Sequence, residues 1–316
     1  MITNMKKVPV RVSKPVSLLI RFLRSKFPSI RLKCWQYSKR FGEKITFRTP
    51  QGTFTVRTND QAIAKALFLH GQYELDLIFK VKQLLVKLGY CANSDKSILI
   101  DVGANIGVIS IAFLKDGFFK RAIAIEPEPE NYDLLKENIT LNGFLDQIHT
   151  FQNALSSVTG EVEFELSNDN FGDHRVKIKS ENAASPDLFG EEVRKIIKIP
   201  SVTLDSITSN LLRGKEGCSP LLWIDVQGHE GYVFDGGKTF LHSGIPTVAE
   251  IWPYGIIKSG MTLQTFNEII LGLWSDYWVL RKRGFIKYPI ETFPLFLNEL
   301  GEDGEYDNVV FTRTTK

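Results

Sequence analysis

The sequence predicts an α/β fold, a doubly wound and mostly parallel sheet with helices packed on it. Two patterns and one turn carry that expectation. From residue 97 to 251, short apolar runs bounded by turn residues alternate with stretches of helical periodicity. Two of those runs, "SILID" and "LLWID", end in an acid, Asp101 and Asp225, followed at once by a glycine-containing turn. In the first turn, "DVGANIG" at 101–107, the glycines let the main chain take φ > 0 and let a ligand approach it closely.

The elements follow in order. Residues 1–48 hold 13 Lys/Arg and one acid, Glu43, a balance of +12 in a chain whose total is +3, so the remainder lies close to −9. Within this basic stretch Val16, Leu19, Ile20, Leu23 and Phe27 fall at helical spacing, with Lys14, Arg21, Arg24 and Lys26 over much of the rest. A basic amphipathic helix of this kind suits an anionic membrane surface or another polyanion; a helix packed on the body with a solvated basic face has the same pattern. The chain divides into a basic N-terminal arm (1–43), a strand pair and helix leading into the core (44–96) and the main domain (97–316).

"KITFRTPQGTFTVRT" at 44–58 reads as two strands around a Pro-Gln-Gly turn. Leu75, Ile78, Val81, Leu85 and Leu88 form one stripe of a helix over 73–88, and residues 91–96 are a polar break. Beyond "SILID" come a helix over 107–114, the strand "AIAIE", the helix "PENYDLLKENITLN" closing at Gly143, and a third strand, "IHTFQNA". A hairpin from "GEVEFELS" and "HRVKIK" interrupts the alternation. "LLWID", a helix, "TVAEI", a helix over 262–275 and two last strands, "YWVLRK" and "DNVVFTR", complete the chain.

With 43% hydrophobic and 24% charged residues the chain can bury a sizeable core. Cys34, Cys91 and Cys218 lie far apart with no CxxC, which argues against a disulfide framework and points to a reducing, cytoplasmic setting. No run reaches the ~18–20 apolar residues of a membrane span. "VSLLI" is too short, and too soon followed by Arg21 and Arg24, for a cleaved signal.

The glycine turn narrows the ligand. A dinucleotide site needs G-x-G-x-x-G, whereas Gly103 and Gly107 stand four apart with Asn105, a tolerant left-handed residue, between them. Asp101 at the strand end is ill suited to a pyrophosphate and well suited to a cationic ligand such as the ammonium of S-adenosylmethionine. Glu126, 23 residues after Gly103, ends the second strand, where a carboxylate accepts ribose hydroxyls.

Taken in order, "DVGANIG", "AIEPEPENYDLLKENITLN", "NALSS", "VTLDSI" and "IDVQGHEGYVFDGG" resemble the FkbM-type S-adenosylmethionine-dependent methyltransferases, over about residues 73–250. The resemblance implies a class I (Rossmann-like) methyltransferase fold, a seven-stranded, mostly parallel sheet with helices on both faces. It also implies O-methylation of a sugar, glycan, glycolipid or natural-product hydroxyl. By position Asp101, Gly103, Ala104, Asn105 and Gly107 line the methionine part, Glu126 with Pro127 takes the ribose, and Asn153 and Ala154 lie near the adenine. Tyr73–Glu74 match a Tyr-Glu pair of the family, which puts Glu74 near the cofactor.

Methyl transfer to oxygen also needs a proton acceptor. Strand-order reversal between the first and fourth strands makes Asp225 a neighbour of Asp101, so that it is either a site acid or a plain strand-end acid. His229 is a general base or a helix cap, His174 in "NDNFGDHRV" a second base or part of a polar hairpin loop, and Glu230 a helix-start acid. Glu250 and Trp252 could border the acceptor. His70, His149 and His242 have no supporting neighbours. Gln227 departs from the family's usual Glu. "HEGYV" is no H-E-x-x-H zinc motif, since Val233 replaces the second His, and no metal is expected. Two other functions fit the chain: an RNA methyltransferase holding phosphates through the arm, and a non-catalytic S-adenosylmethionine-binding membrane adaptor.

Overall fold

The structure, a computed structural model, describes residues 10–11, 28–40, 42–90, 97–177, 187–212 and 219–313. The amphipathic stretch 16–27 and the polar break 91–96 lie outside the described residues. Among the described residues no helix is long and apolar enough to cross a membrane.

A small three-stranded sheet comes first, β1 (Val10–Arg11) parallel to β2 (Lys44–Arg48), and β2 antiparallel to β3 (Thr53–Arg57). Helix α1 (Pro28–Ser38) buries Trp35 against Phe68 of α2 (Ile63–His70), their ring centroids 5.4 Å apart. Helix α3 (Leu75–Lys87) buries Ile78, Val81 and Leu85 of the expected stripe together with Leu77 and Leu84, while Leu75 and Leu88 are half-buried.

The wound region begins with β4 (Ser97–Val102), α4 (Val108–Lys115), β5 (Arg121–Ile125), α5 (Pro129–Asn142) and β6 (Ile148–Phe151). Helix α5 starts and stops where its sequence says it should. The Glu128 carboxylate accepts the N–H groups of Glu130 and Asn131, Pro129 takes the position that needs no donor, and Gly143 closes the helix at φ 77°. The third strand is shorter than "IHTFQNA" suggested. The chain leaves the main sheet at Gln152, and β7 (Ala154–Leu155) joins a second sheet with β8 (Gly160–Leu166), β9 (Arg175–Lys177) and β10 (Lys195–Val202), in the order β7-β10-β8-β9. The expected hairpin is the antiparallel pair β8–β9.

After α6 (Leu204–Leu211) come β11 (Ser219–Ile224), α7 (Glu230–Asp235), α8 (Lys238–Leu241), β12 (Thr247–Ile251), α9 (Pro253–Lys258) and α10 (Leu263–Leu273). The chain ends with β13 (Asp276–Arg281), β14 (Gly284–Pro289), α11 (Phe293–Leu300) and β15 (Asp307–Thr312). The main sheet runs β14-β13-β15-β12-β11-β4-β5-β6. Strands β6, β5, β4, β11 and β12 are parallel, while β15 runs antiparallel to both β12 and β13. This is the class I order and orientation with an eighth strand, β14, added at the edge by a tight turn at Lys282–Arg283. "GFIKYP" had not been read as a strand.

Alternate residues of the central strands feed two cores. Leu99, Leu221 and Trp223 pack with α3, α4 and α5, whereas Ile98, Ile100, Leu222 and Ile224 pack with the helices of the other face. Successive strands run outward from β4 to β6, and the chain then returns to β11 on the other side of β4. The reversal opens a crevice at the carboxyl ends of β4 and β11.

Candidate active site

The two acid-ended turns meet in that crevice. Trp223 pairs with Asp101 and Ile224 with Val102 in register, and the Asp225 N–H donates to the Val102 carbonyl at 3.0 Å. Gly103, at φ +81°, lies so close to the neighbouring turn that an added Cβ would stand 1.8 Å from the Asp225 carbonyl oxygen. A side chain there has neither the backbone conformation nor the room.

The near wall is tied down by its own element. The Ser110 N–H and hydroxyl donate to Asp101 Oδ2 at 3.1 and 2.6 Å. Glu126 bridges two turns, its Oε2 accepting the Asn105 N–H and its Oε1 the Glu128 N–H, both at 2.8 Å. Burial pushes Asp101 up to about 7 and Glu126 up to about 8 despite these donors.

On the far wall Gln227 Nε2 donates to Asp225 Oδ1 at 2.6 Å and to Glu250 Oε1 at 3.1 Å. Burial raises Asp225, and burial with Asp225, Glu230 and Glu74 nearby drives Glu250 well above the carboxylate range. Glu74, at the head of α3, is pushed to about 8 by burial and then by Asp225 and Asp101. Glu74, Asn105 and Gln227, at φ 54°, 50° and 55°, are the non-glycine residues with positive φ among the described residues, and all three line this crevice. Backbone strain concentrated at one cavity is a mark of a working site.

A cap closes the crevice from the insertion. Asn105 and Asn131 both donate through Nδ2 to the Phe171 carbonyl, at 2.7 and 3.0 Å, and the Arg57 guanidinium lies 3.5 Å over the Phe171 ring. Behind this loop is a buried ion network. Arg175 pairs with Asp173 at 2.9 Å, Glu165 at 3.3 Å and Glu191 at 3.4 Å, and Arg194 with Glu165 and Asp173. Tyr254 donates to Glu191 at 2.8 Å, and Arg175 stands 4.9 Å over the Trp252 ring. The cavity is about 330 Å³, the size of a small-molecule site. Its walls carry six carboxyl side chains, Glu74, Asp101, Glu126, Asp173, Asp225 and Glu250, and, among the described residues, no lysine or arginine.

Glu74, Asp101, Gly103, Ala104, Asn105, Glu126, Pro127, Asn153, Ala154, His174, Asp225 and His229 all border this cavity. Gly107 does not. It faces α5, where an added Cβ would stand 2.8 Å from the Leu135 side chain, so its glycine serves helix packing. Neither histidine is set up as a base. His174 Nδ1 accepts the Ser167 N–H at 2.9 Å, which leaves the ring proton on Nε2, and burial with Arg57 and Arg194 nearby lowers it to about 3. His229 is buried, hydrogen-bonds Ser156 Oγ at 3.1 Å, stacks on Tyr232 and is lowered by burial to about 3. Glu230 accepts the Val226 N–H at 2.9 Å and holds the turn.

The sequence reading missed Asn131, Phe189 and Tyr306 as wall residues. Asn131 could have been found from the helix start at Glu128. Tyr306 follows the glycine-rich "GEDGEY" segment, which carries it to the mouth of the crevice. Among the described residues no group of three or more His, Cys, Asp or Glu has the arrangement of a metal site.

Comparison with known proteins adds an independent line. The chain is 30% identical over 149 residues to the 2-O-methyltransferase NoeI of Sinorhizobium fredii (strain NBRC 101917 / NGR234), covering 46% of this chain and 58% of that protein. It is 36% identical over 64 residues to methyltransferase sdnD of Sordaria araneosa, 20% of this chain and 25% of that one. The chain thus spans less than two thirds of the length of these curated relatives. A solved structure of methyltransferase FkbM from Methylobacillus flagellatus KT covers 78% of this chain and 52% of its own at 16% identity; its TM-score of 0.41 is too low to carry an argument. The family model described as "Methyltransferase FkbM domain" matches residues 101–286, more than half of the chain and both acid-ended turns. The chain belongs to the FkbM methyltransferase family.

Proposed function

We propose that this chain is an S-adenosylmethionine-dependent O-methyltransferase acting on a hydroxyl of a sugar, glycan, glycolipid or natural product. The observation that carries the reading is the crevice itself, a strained, acid-walled cavity at the strand-order reversal with no lysine or arginine among its described wall residues. S-adenosylmethionine, when bound, supplies a methyl group activated on a cationic sulfonium, and its charge complements these walls. Asp101 and Glu74 hold its cationic side, the main chain of Gly103, Ala104 and Asn105 packs against it, and Glu126 accepts ribose hydroxyls. Asn153 and Ala154 border the adenine, and Pro127 lies beside Glu126 at the ribose.

Asp225 serves as the proton acceptor. Methylation of a hydroxyl releases its proton, and the Asp225 carboxylate would take it up and become the neutral acid. Phe171, Phe189, Trp252 and Tyr306 supply aromatic faces for the acceptor and help keep water out. The name of NoeI, a 2-O-methyltransferase, supports oxygen as the atom methylated. A wall with no lysine or arginine among the described residues favours a neutral acceptor over a phosphate-bearing one, and the basic arm is the contact to an anionic membrane surface or polyanion.

Transfer of a labelled methyl group from S-adenosylmethionine to a panel of glycans, glycolipids and RNA tests this reading. Label in a glycan or glycolipid supports it. Salt-sensitive label in RNA, lost on deleting residues 1–48, replaces it with the RNA reading, and binding without any transfer replaces it with the adaptor.

A further inference from the structure

We propose that Gln227, where the chain departs from the family pattern, is a positioning residue that joins Asp225 and Glu250 into one paired-acid unit through its side-chain amide. Asp225 follows the end of β11 and Glu250 lies in β12, and the parallel register that pairs Ile224 with Ala249 sets the two acids side by side with, among the described residues, no lysine or arginine between them. The Gln227 amide joins them, with Nε2 at 2.6 Å from Asp225 Oδ1 and 3.1 Å from Glu250 Oε1. A planar NH₂ has two hydrogens at a fixed angle, one for each acceptor. The side chain reaches both because its backbone is held at φ 55°. The next residue fixes the turn: Gly228, at φ +97°, packs directly on the Gly255 backbone, which an added Cβ would meet at 2.2 Å.

The groups around the pair make the donor necessary. Glu74, Tyr73 and Tyr306 interact with both acids, Glu230 with both, Asp173 with Asp225 from the cap, and Asp101 with Asp225 across the crevice. All are acids or phenols, so each adds repulsion once ionised. The amide offsets that repulsion and favours the charged form of both carboxylates. A glutamate at 227 is the same shape but brings a third carboxyl and, at most, one hydrogen. Gln227 therefore keeps Asp225 able to take a proton and aims Glu250 at the same point. Asp225 as the base rests on the proposed function; the joining of the two acids does not.

The test uses the full-length chain without ligand, with ¹³C-labelled aspartate and glutamate carboxyls, and follows Asp225 and Glu250 by NMR through a pH titration. In Gln227→Glu and Gln227→Met, both titration midpoints are expected to move up by about one pH unit or more. Midpoints within about 0.3 unit of the parent in both variants overturn the proposal. Circular dichroism confirms folding, and the isosteric Gln227→Glu carries the test alone if Gln227→Met does not fold. In a methyl-transfer assay the acid limb of kcat is expected to move up with the NMR midpoints, while KM for S-adenosylmethionine changes less than about threefold. A parent protein that transfers no methyl group removes Asp225 as the base but leaves the titration result to stand or fall alone.

Discussion

Two buried charge clusters lie close together, the acid-lined crevice and the ion network behind its cap, with Asp173 bordering both, and they are built on opposite rules. In the cap, Arg175 and Arg194 are set against Glu165, Asp173 and Glu191, and Tyr254 and two backbone carbonyls add hydrogen bonds, while Arg175 Nε and Nη1 and Asp173 Oδ1 meet their partners by charge alone. In the crevice, Asp101, Asp225 and Glu250 are buried with hydroxyl, amide and backbone donors and Glu74 is buried beside them, with no lysine or arginine among the described wall residues. The protein supplies its own counter-charges in the first cluster and, among the described residues, no lysine or arginine in the second. Burying unpaired acids costs stability, and chains tolerate that cost where function needs the group.

The largest effect that could break the comparison is on the paired side. Arg194→Ala leaves buried carboxylates without a counter-charge and is expected to cost about 3–5 kcal/mol in urea unfolding. A loss below about 1 kcal/mol means that the network is not structural. On the unpaired side the expectation is reversed. Asp101→Asn is expected to leave stability unchanged or raised, because a buried acid is removed, while calorimetric affinity for S-adenosylmethionine falls about 10- to 100-fold. Equal affinity in parent and variant removes Asp101 from the site.

A third expectation concerns pH. Glu74 and Glu126 at about 8, and Asp101 and Glu230 at about 7, lie above their ordinary values of 4.5 and 3.8. The folded chain therefore keeps protons that the unfolded chain has lost, and these acids make stability fall as pH rises toward 8. His174 and His229, lowered from 6.5 to about 3, act in the opposite direction, but only up to pH 6.5. Between pH 6.5 and 8 the unliganded melting temperature should fall, and the rise produced by S-adenosylmethionine should grow. A ligand-induced rise that shrinks over that interval contradicts the unpaired-acid reading. The smallest effect is expected at His174, already neutral with Nδ1 engaged. In His174→Gln the pH dependence of methyl transfer should stay within about 0.3 unit of the parent.

Much of the fold was legible because its signals are local. Helix α5 was found to the residue, since Glu128, Pro129 and Gly143 mark its ends in chemistry that needs no tertiary context. The nearness of Asp101 and Asp225 was also legible, because strand-order reversal places the ends of β4 and β11 side by side. The edge strand β14 was not. Its residues are mostly half-exposed, so it lacks the apolar run that marked the central strands. Strand β10 was hidden by the same means, with Lys195, Ile196, Lys198 and Pro200 exposed.

The histidines show a different limit. His174 and His229 are the residue type expected of a base, but a base is made by its surroundings, and burial with an occupied Nδ1 or a serine partner cannot be read along one chain. Gly107 shares a motif with Gly103, yet one packs on a helix and the other on the facing turn. Gln227 weakened the expected acid–base set in the sequence. In the structure it contacts both acids.

The central claim is that the crevice is completed by a cation. It is tested most directly by calorimetry of S-adenosylmethionine binding at pH 7 in two buffers of different ionisation enthalpy. One-to-one binding with net proton release is expected, because the arriving positive charge lowers the raised carboxyl groups and drives protons off them. Binding with proton uptake, or no binding at all, would contradict it.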